Sequence, residues 1–224
     1  LISVFNKPGL ENIIKELHRR GITIYSTGGT QQFIVQQGVP CVAVESLTHY
    51  PSILGGRVKT LHPKVFGGIL ARREQQEDIQ QLAEYEIPAI DLVIVDLYPF
   101  EETVKATNEE QKIVEKIDIG GVSLIRAAAK NYKDVVVVAS GHEYPALEQI
   151  LSSQEAVTTL EERRALAAKA FAHCAQYDVA IAAYFAKAEG SDYFQLSAGS
   201  PQVLHYGENP HQQGIFYGHL NGIF

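Results

Sequence analysis

The sequence predicts an α/β protein built on a parallel sheet. Short apolar runs alternate along most of the chain with stretches whose apolar residues recur at helical spacing. Asp91-Leu92-Val93-Ile94-Val95 is the strongest strand, a continuous apolar run of the kind buried on both faces in parallel sheets. Glycine-bearing turns stand between several strands and the helices that follow them.

Leu1 to Phe5 reads as the first strand. Leu10, Ile13, Ile14 and Leu17 then mark one buried face of a helix, which Gly21 stops. Ile22 to Tyr25 is expected as the second strand, followed by the turn Ser26-Thr27-Gly28-Gly29-Thr30 and a helical stretch from Gln31 to Gln37. Cys41 to Val44 makes a third short strand. Ser46 to Ala71 is irregular, and so long a loop with this apolar content points to function rather than disorder. Arg72 to Tyr85 is a charged, exposed helix, and the strand at Asp91–Val95 ends in Asp96-Leu97-Tyr98-Pro99-Phe100. A short helix from Glu109 to Lys116 leads to Asp118-Ile119-Gly120-Gly121, a helix from Val122 to Lys130 and a buried strand from Val135 to Val138. Tyr144 to Leu151 and Glu161 to Lys187 are helical. The residues 190–202 are polar and turn-rich, as a linker is, and His205 to Gln212 reads as the opening of a further domain.

The balance of 19 Lys and Arg against 26 Asp and Glu gives a net charge of -7, which argues against a nucleic-acid or anionic membrane surface. No stretch approaches a membrane-spanning length. Cys41 and Cys174 are lone thiols without ligand spacing, so a reducing cytoplasm is expected. The eight His form no pair with metal-binding spacing, and no metal site is expected. Without an initiator Met, the chain is expected to begin inside a longer one.

Cations in an acidic protein are local devices, and they and a few other polar residues mark several places. Gly55-Gly56-Arg57-Val58-Lys59-Thr60-Leu61-His62-Pro63 is a loop in which Arg57 and Lys59 share a face if the segment is extended. An Arg fork and a Lys point charge suit a phosphate or an oxyanion; an exposed basic turn is the plainer reading. The turn Ser26–Thr30 either aims backbone N–H groups at an anion or simply joins strand to helix, and Lys7 lies beside it if the first two strands are parallel neighbours. Asp96 and Tyr98 follow the carboxyl end of a strand, where open sheets bind ligands; a turn Asp and a packed aromatic are the alternatives. Asp118 beside two glycines is an N-cap or a base that a ligand approaches closely, and Lys130 ends a helix, where it also complements the dipole.

In this order, Ser3 to Lys7, Ser26 to Thr30, Gly55 to Pro63, Leu97 to Phe100, Asp118 to Gly121, Ala127 to Asn131 and Tyr206 to Gln212 resemble the bifunctional AICAR transformylase/IMP cyclohydrolase family of purine biosynthesis. The resemblance implies a sheet flanked by helices on both faces, similar to methylglyoxal synthase, and a homodimer. It places a cyclohydrolase domain at 1–190 and the start of a transformylase domain at 191–224. It implies closure of FAICAR to IMP with loss of water, without a cofactor; 10-formyltetrahydrofolate serves the transformylase. Catalytic positions fall on Lys59, Tyr98, Asp118 and Lys130. Nucleotide contacts fall on Phe5, Asn6 and Lys7, on Thr27, Gly28, Gly29 and Thr30, and on Arg57, Val58 and Thr60. Further contacts fall on Val95, Asp96, Ile119 and Gly120. The chain departs from the family where Phe5-Asn6 replaces Ser-Asp, Thr27 replaces Ser, Asp96 replaces Asn and His205 replaces Arg.

The implied chemistry suits these residues. A carboxamide nitrogen is a poor nucleophile, and both reacting groups lie on one molecule, so orientation, proton transfer and oxyanion stabilisation remain to be supplied. One helix over 121–130 would hold Asp118 and Lys130 roughly 14 Å apart, so the segment is broken, the two touch different parts of the site, or one comes from a partner. Two rivals stand: a ligand-sensing module of the same fold, and a structural half of a larger assembly.

Overall fold

The computed structural model describes residues 1–153, 156–189, 201–204, 209 and 211–217. Leu1–Cys174 form one compact unit and Ala175–Phe224 a second. The first is organised on β1 (Ile2–Ser3), β2 (Tyr25–Ser26), β3 (Val42–Ala43), β4 (Leu92–Val95) and β5 (Val136–Val138). These pair in the order β3-β2-β1-β4-β5, and every pairing is parallel. The order turns back between β1 and β4, with Ile2 opposite both Ser26 and Ile94.

Burial on both sides explains the apolar run of β4: Val93, Ile94 and Val95 are each at most 1% exposed. On one face Ile94 and Val138 join a core with the apolar side of α1 (Leu10–Arg19), Ile34 of α2 (Gly28–Gln36) and Tyr144, Leu147 and Leu151 of α9 (Tyr144–Ser153). The helix spacing read from the sequence is the buried set Leu10, Ile13, Ile14 and Leu17. α8 (Gly120–Lys130) packs on β4 and β5 and against α4 (Pro63–Leu70). Between these lie α3 (Val44–Thr48), α5 (Gln76–Glu84), α6 (Phe100–Ala106) and α7 (Glu110–Val114).

The expectation of an irregular stretch from Ser46 to Ala71 is corrected. It contains the end of α3, a 3-10 turn at Leu54–Gly56 and all of α4. α4 is helical despite Gly67 and Gly68 because Gly68 meets the neighbouring backbone: a Cβ there would lie 2.3 Å from the Pro88 carbonyl oxygen. His62 caps this helix, its Nδ1 accepting from the Lys64 amide at 3.1 Å, with Pro63 at the first helical position. β2 lies at Tyr25–Ser26 rather than Ile22–Tyr25, since its register is set by Ile2 of β1. α2 starts at Gly28, three residues before the helix expected there, so the glycines belong to its first turn.

The second unit holds the end of α10 (Leu160–Glu189) and an antiparallel pair, β6 (Pro201–Val203) with β7 (Ile215–Tyr217). Pro201 and Gln202 are therefore strand rather than linker, while residues 190–200 and His205 lie outside the described residues.

Candidate active site

A cleft of about 700 Å³ opens at the carboxyl ends of β1, β2 and β4, at the point where the strand order turns back. The start of α2 stands at this cleft. Thr27 precedes α2 in extended conformation and makes no side-chain hydrogen bond to the helix, so no Thr27 cap covers its first turn. Gly28 has φ +55°, and a Cβ placed on it would lie 3.7 Å from Lys59 Nζ. The Lys59 ammonium therefore reaches this helix start. Lys7 lines the same cleft, its Nζ donating to the Phe5 carbonyl at 3.0 Å.

The two threonines of the turn have structural partners. Thr30 Oγ1 accepts from the Val4 amide at 3.0 Å and donates to the Val4 carbonyl at 2.9 Å, clasping β1 to α2. Thr27 Oγ1 donates to Glu45 Oε1 at 2.8 Å. What the turn offers a ligand is thus mainly its backbone.

Ionisable side chains also line the cleft. Asp118 Oδ1 accepts from the Gly121 amide at 2.6 Å. Burial pushes the Asp118 carboxyl above the ordinary carboxylate range; the Gly121 and Tyr98 amides and the Lys59 charge pull it back, and Asp96 pushes the same way as burial. Burial, and then the charge of Asp118, raise the Tyr98 phenol. Asp96 receives the amides of Phe5 and Asn6, the latter at 2.9 Å, so this carboxylate fixes the loop after β1. Burial raises its pKa too, against the opposing pull of those amides and Lys7.

The glycine loop hangs between these ends. Gly55 and Gly56 take φ of 65° and 90°, as tight reversal requires, and Ile53 bridges Val58. Arg57 has helical backbone angles, so its face is not set by strand alternation with Lys59. Its guanidinium pairs with Glu115, Nε donating to Oε2 at 3.3 Å.

Of the residues singled out from the sequence, Phe5, Lys7, Thr27, Gly29 and Thr30 line the cleft beside Arg57, Lys59 and Thr60. Val95, Asp96, Tyr98, Asp118, Ile119 and Gly120 complete that set. Asn6, Gly28, Val58 and Lys130 stand outside the lining. Lys130 is exposed at the far end of α8, an unbroken helix about 15 Å long. The helix is not broken, so one chain does not bring Lys130 to Asp118. The neighbouring Asn131 is a clamp, its amide donating to the carbonyls of Ile69 and Ala71 at 2.8 and 3.0 Å. Sequence reasoning missed Glu115 and Lys116, which also line the cleft. Their nearness to Asp118 was the available signal. Among the described residues, no three His, Cys, Asp or Glu side chains gather as a metal site would require.

Comparison with known proteins decides the family. The MGS-like domain model matches residues 9–123, and the AICARFT/IMPCHase bienzyme model matches 128–223. The chain belongs to the MGS-like domain family. The bifunctional purine biosynthesis protein PurH of Bacteroides thetaiotaomicron is 59% identical over 224 residues, covering all of this chain. PurH of Clostridioides difficile is 44% identical over 99% of it. The chain spans 44% of the length of each of these relatives. A crystal structure of ForH superposes with a TM-score of 0.72 at 34% identity, over 83% of this chain and 96% of that one. Within the MGS-like match fall the α2 turn, the glycine loop, Tyr98 and Asp118, while Lys130 lies in the second match.

Proposed function

We propose that this chain is an IMP cyclohydrolase, closing FAICAR to IMP with loss of water. The observation that carries the reading is one cleft, lined also by Lys7, that joins an uncapped helix start with Lys59 near it to a half-buried carboxylate beside Tyr98. A nucleotide of this size has a phosphate for the first end and a reacting ring for the second.

In the reaction the carboxamide nitrogen attacks the formyl carbon, one N–C bond forms, and the carbonyl oxygen becomes a hydroxyl. That C–O bond then breaks. Water leaves with the formyl oxygen, one proton from the carboxamide nitrogen and one from the formamido nitrogen. Asp118, ionised and held by the Gly121 amide, accepts the carboxamide proton. Lys59 stabilises the developing oxyanion, and Tyr98 stands within reach of the same centre. The loop carrying Lys59 closes over bound substrate, with Arg57 exchanging Glu115 for the phosphate. No electron is transferred, and the formyl group is already on the substrate, so the donor 10-formyltetrahydrofolate belongs to the second activity of the full-length protein.

We further propose a cytoplasmic homodimer with the division at 1–190 and 191–224. Exposed Leu54 and Ile119 near the cleft favour a covered rim, at 70% and 62% exposure. Cys41 is a free thiol, in keeping with a reducing compartment. No described helix is long and apolar enough to cross a membrane. The test is turnover: purified chain with FAICAR alone should produce IMP. A folded chain that binds IMP but forms none would favour the ligand-sensing alternative.

A further inference from the structure

Lys116 has no part in the reaction as set out above, yet it sits where three elements meet. Its Nζ lies 5.3 Å from the centroid of the Phe5 ring and 5.4 Å from that of Tyr98. The two rings are 5.7 Å apart and cross at 89°, edge to face. Ammonium and rings thus form a nearly equilateral triangle, with both ring contacts inside the range where the quadrupole attracts a cation. Phe5 follows β1, Tyr98 follows β4, and Lys116 comes just after α7. The preceding residue, Glu115, is held by Arg57 of the loop that carries Lys59. Lys116 therefore ties the orientation of the Tyr98 ring to the position of that loop.

A tyrosine on a strand-end loop turns readily, and its hydroxyl serves a reaction only from one orientation. We propose that Lys116 is a positioning residue, its ammonium shared between Phe5 and Tyr98 so that the phenol hydroxyl faces the reacting ring. This rests on the cyclohydrolase reading and on Tyr98 acting in it. Charge on Lys116 also stays in the cleft as loop 55–60 moves.

The test uses Lys116→Met, which keeps the stem and removes the charge, and Lys116→Arg, which keeps a cation. Lys116→Met should lower kcat roughly tenfold, within the range a cation–π contact supplies, with IMP affinity and Tm close to the parent. Lys116→Arg should restore most of the rate. In a Tyr98→Phe background, Lys116→Met should cost nothing further, because the two act as one unit. Protein labelled with 3-fluorotyrosine gives a readout without turnover: the Tyr98 resonance, assigned by its loss in Tyr98→Phe, should move in Lys116→Met. A kcat within twofold of the parent, an equal fall in the Tyr98→Phe background, or an unmoved resonance would each overturn the proposal. A parent chain without turnover sinks the functional reading instead, and the fluorine resonance alone then decides whether Lys116 seats the ring.

Discussion

The Gly121 amide donates to Asp118 Oδ1 at 2.6 Å, and a Cβ on Gly121 would stand 2.5 Å from Oδ2. The same residue both holds the carboxylate and leaves room for it. Any side chain at position 121 must push Asp118 out of its place. Gly121→Ala is therefore expected to behave like loss of the base, lowering kcat by ~10²-fold. IMP affinity should fall less, since Gly121 is not part of the α2 start proposed to hold the phosphate. Unchanged kcat in the folded variant would show that Asp118 is free to move without consequence.

The half-buried Asp118 is also expected to set a pH dependence. Its pKa is raised, chiefly by burial, and a base must be ionised to accept a proton. Activity should therefore rise with pH along a limb above the ordinary carboxylate range. The Lys59 charge lowers this pKa, so Lys59→Met should move the limb to higher pH as well as reducing kcat. Asp118→Asn should abolish the limb together with most of the rate. The pH profiles of kcat/KM for the three proteins check this, and a limb that survives in Asp118→Asn belongs to another group.

Much of the site was legible because its signals were local. A continuous apolar run gave β4, the spacing of Leu10, Ile13, Ile14 and Leu17 gave α1, and paired glycines marked the turns. What was not legible depended on distant partners. α4 contains two glycines and reads as loop until Gly68 is seen against the Pro88 carbonyl, where only glycine fits. α6 buries a single residue, Phe100, and leaves no helical periodicity to detect. Asp96, read as a ligand contact from its place at a strand end, lines the cleft, and its carboxylate also receives the amides of Phe5 and Asn6, partners that no local pattern shows. Lys116 was invisible because its cation–π seat joins residues that follow three separate elements, β1, β4 and α7.

Thr30 gives a prediction about stability. Its buried hydroxyl serves both polar groups of Val4, so Thr30→Val preserves shape and leaves an amide and a carbonyl unpaired. The cost is expected at ~1–3 kcal/mol, read as a lower denaturant midpoint with an unchanged m value. Thr30→Ser keeps the hydroxyl and should cost less. Equal stability of Thr30→Val and the parent would mean that water reaches the end of β1.

Lys130 can be tested across subunits. It lies at the exposed end of α8, about 15 Å from the end beside Asp118. If Lys130 takes part in ring closure, a second copy of the chain must supply it. Lys59→Ala and Lys130→Ala should then each be poorly active alone. Mixed after dissociation and reassociation, half of the dimers carry one subunit of each kind. In such a dimer one cleft lacks both lysines and the other has both, so roughly a quarter of the parent activity should return, as two-fold symmetry requires. No recovery on mixing, with subunit exchange verified by a tagged pair, would confine catalysis to one chain. Lys130→Ala with the parent rate would remove this lysine from the reaction altogether.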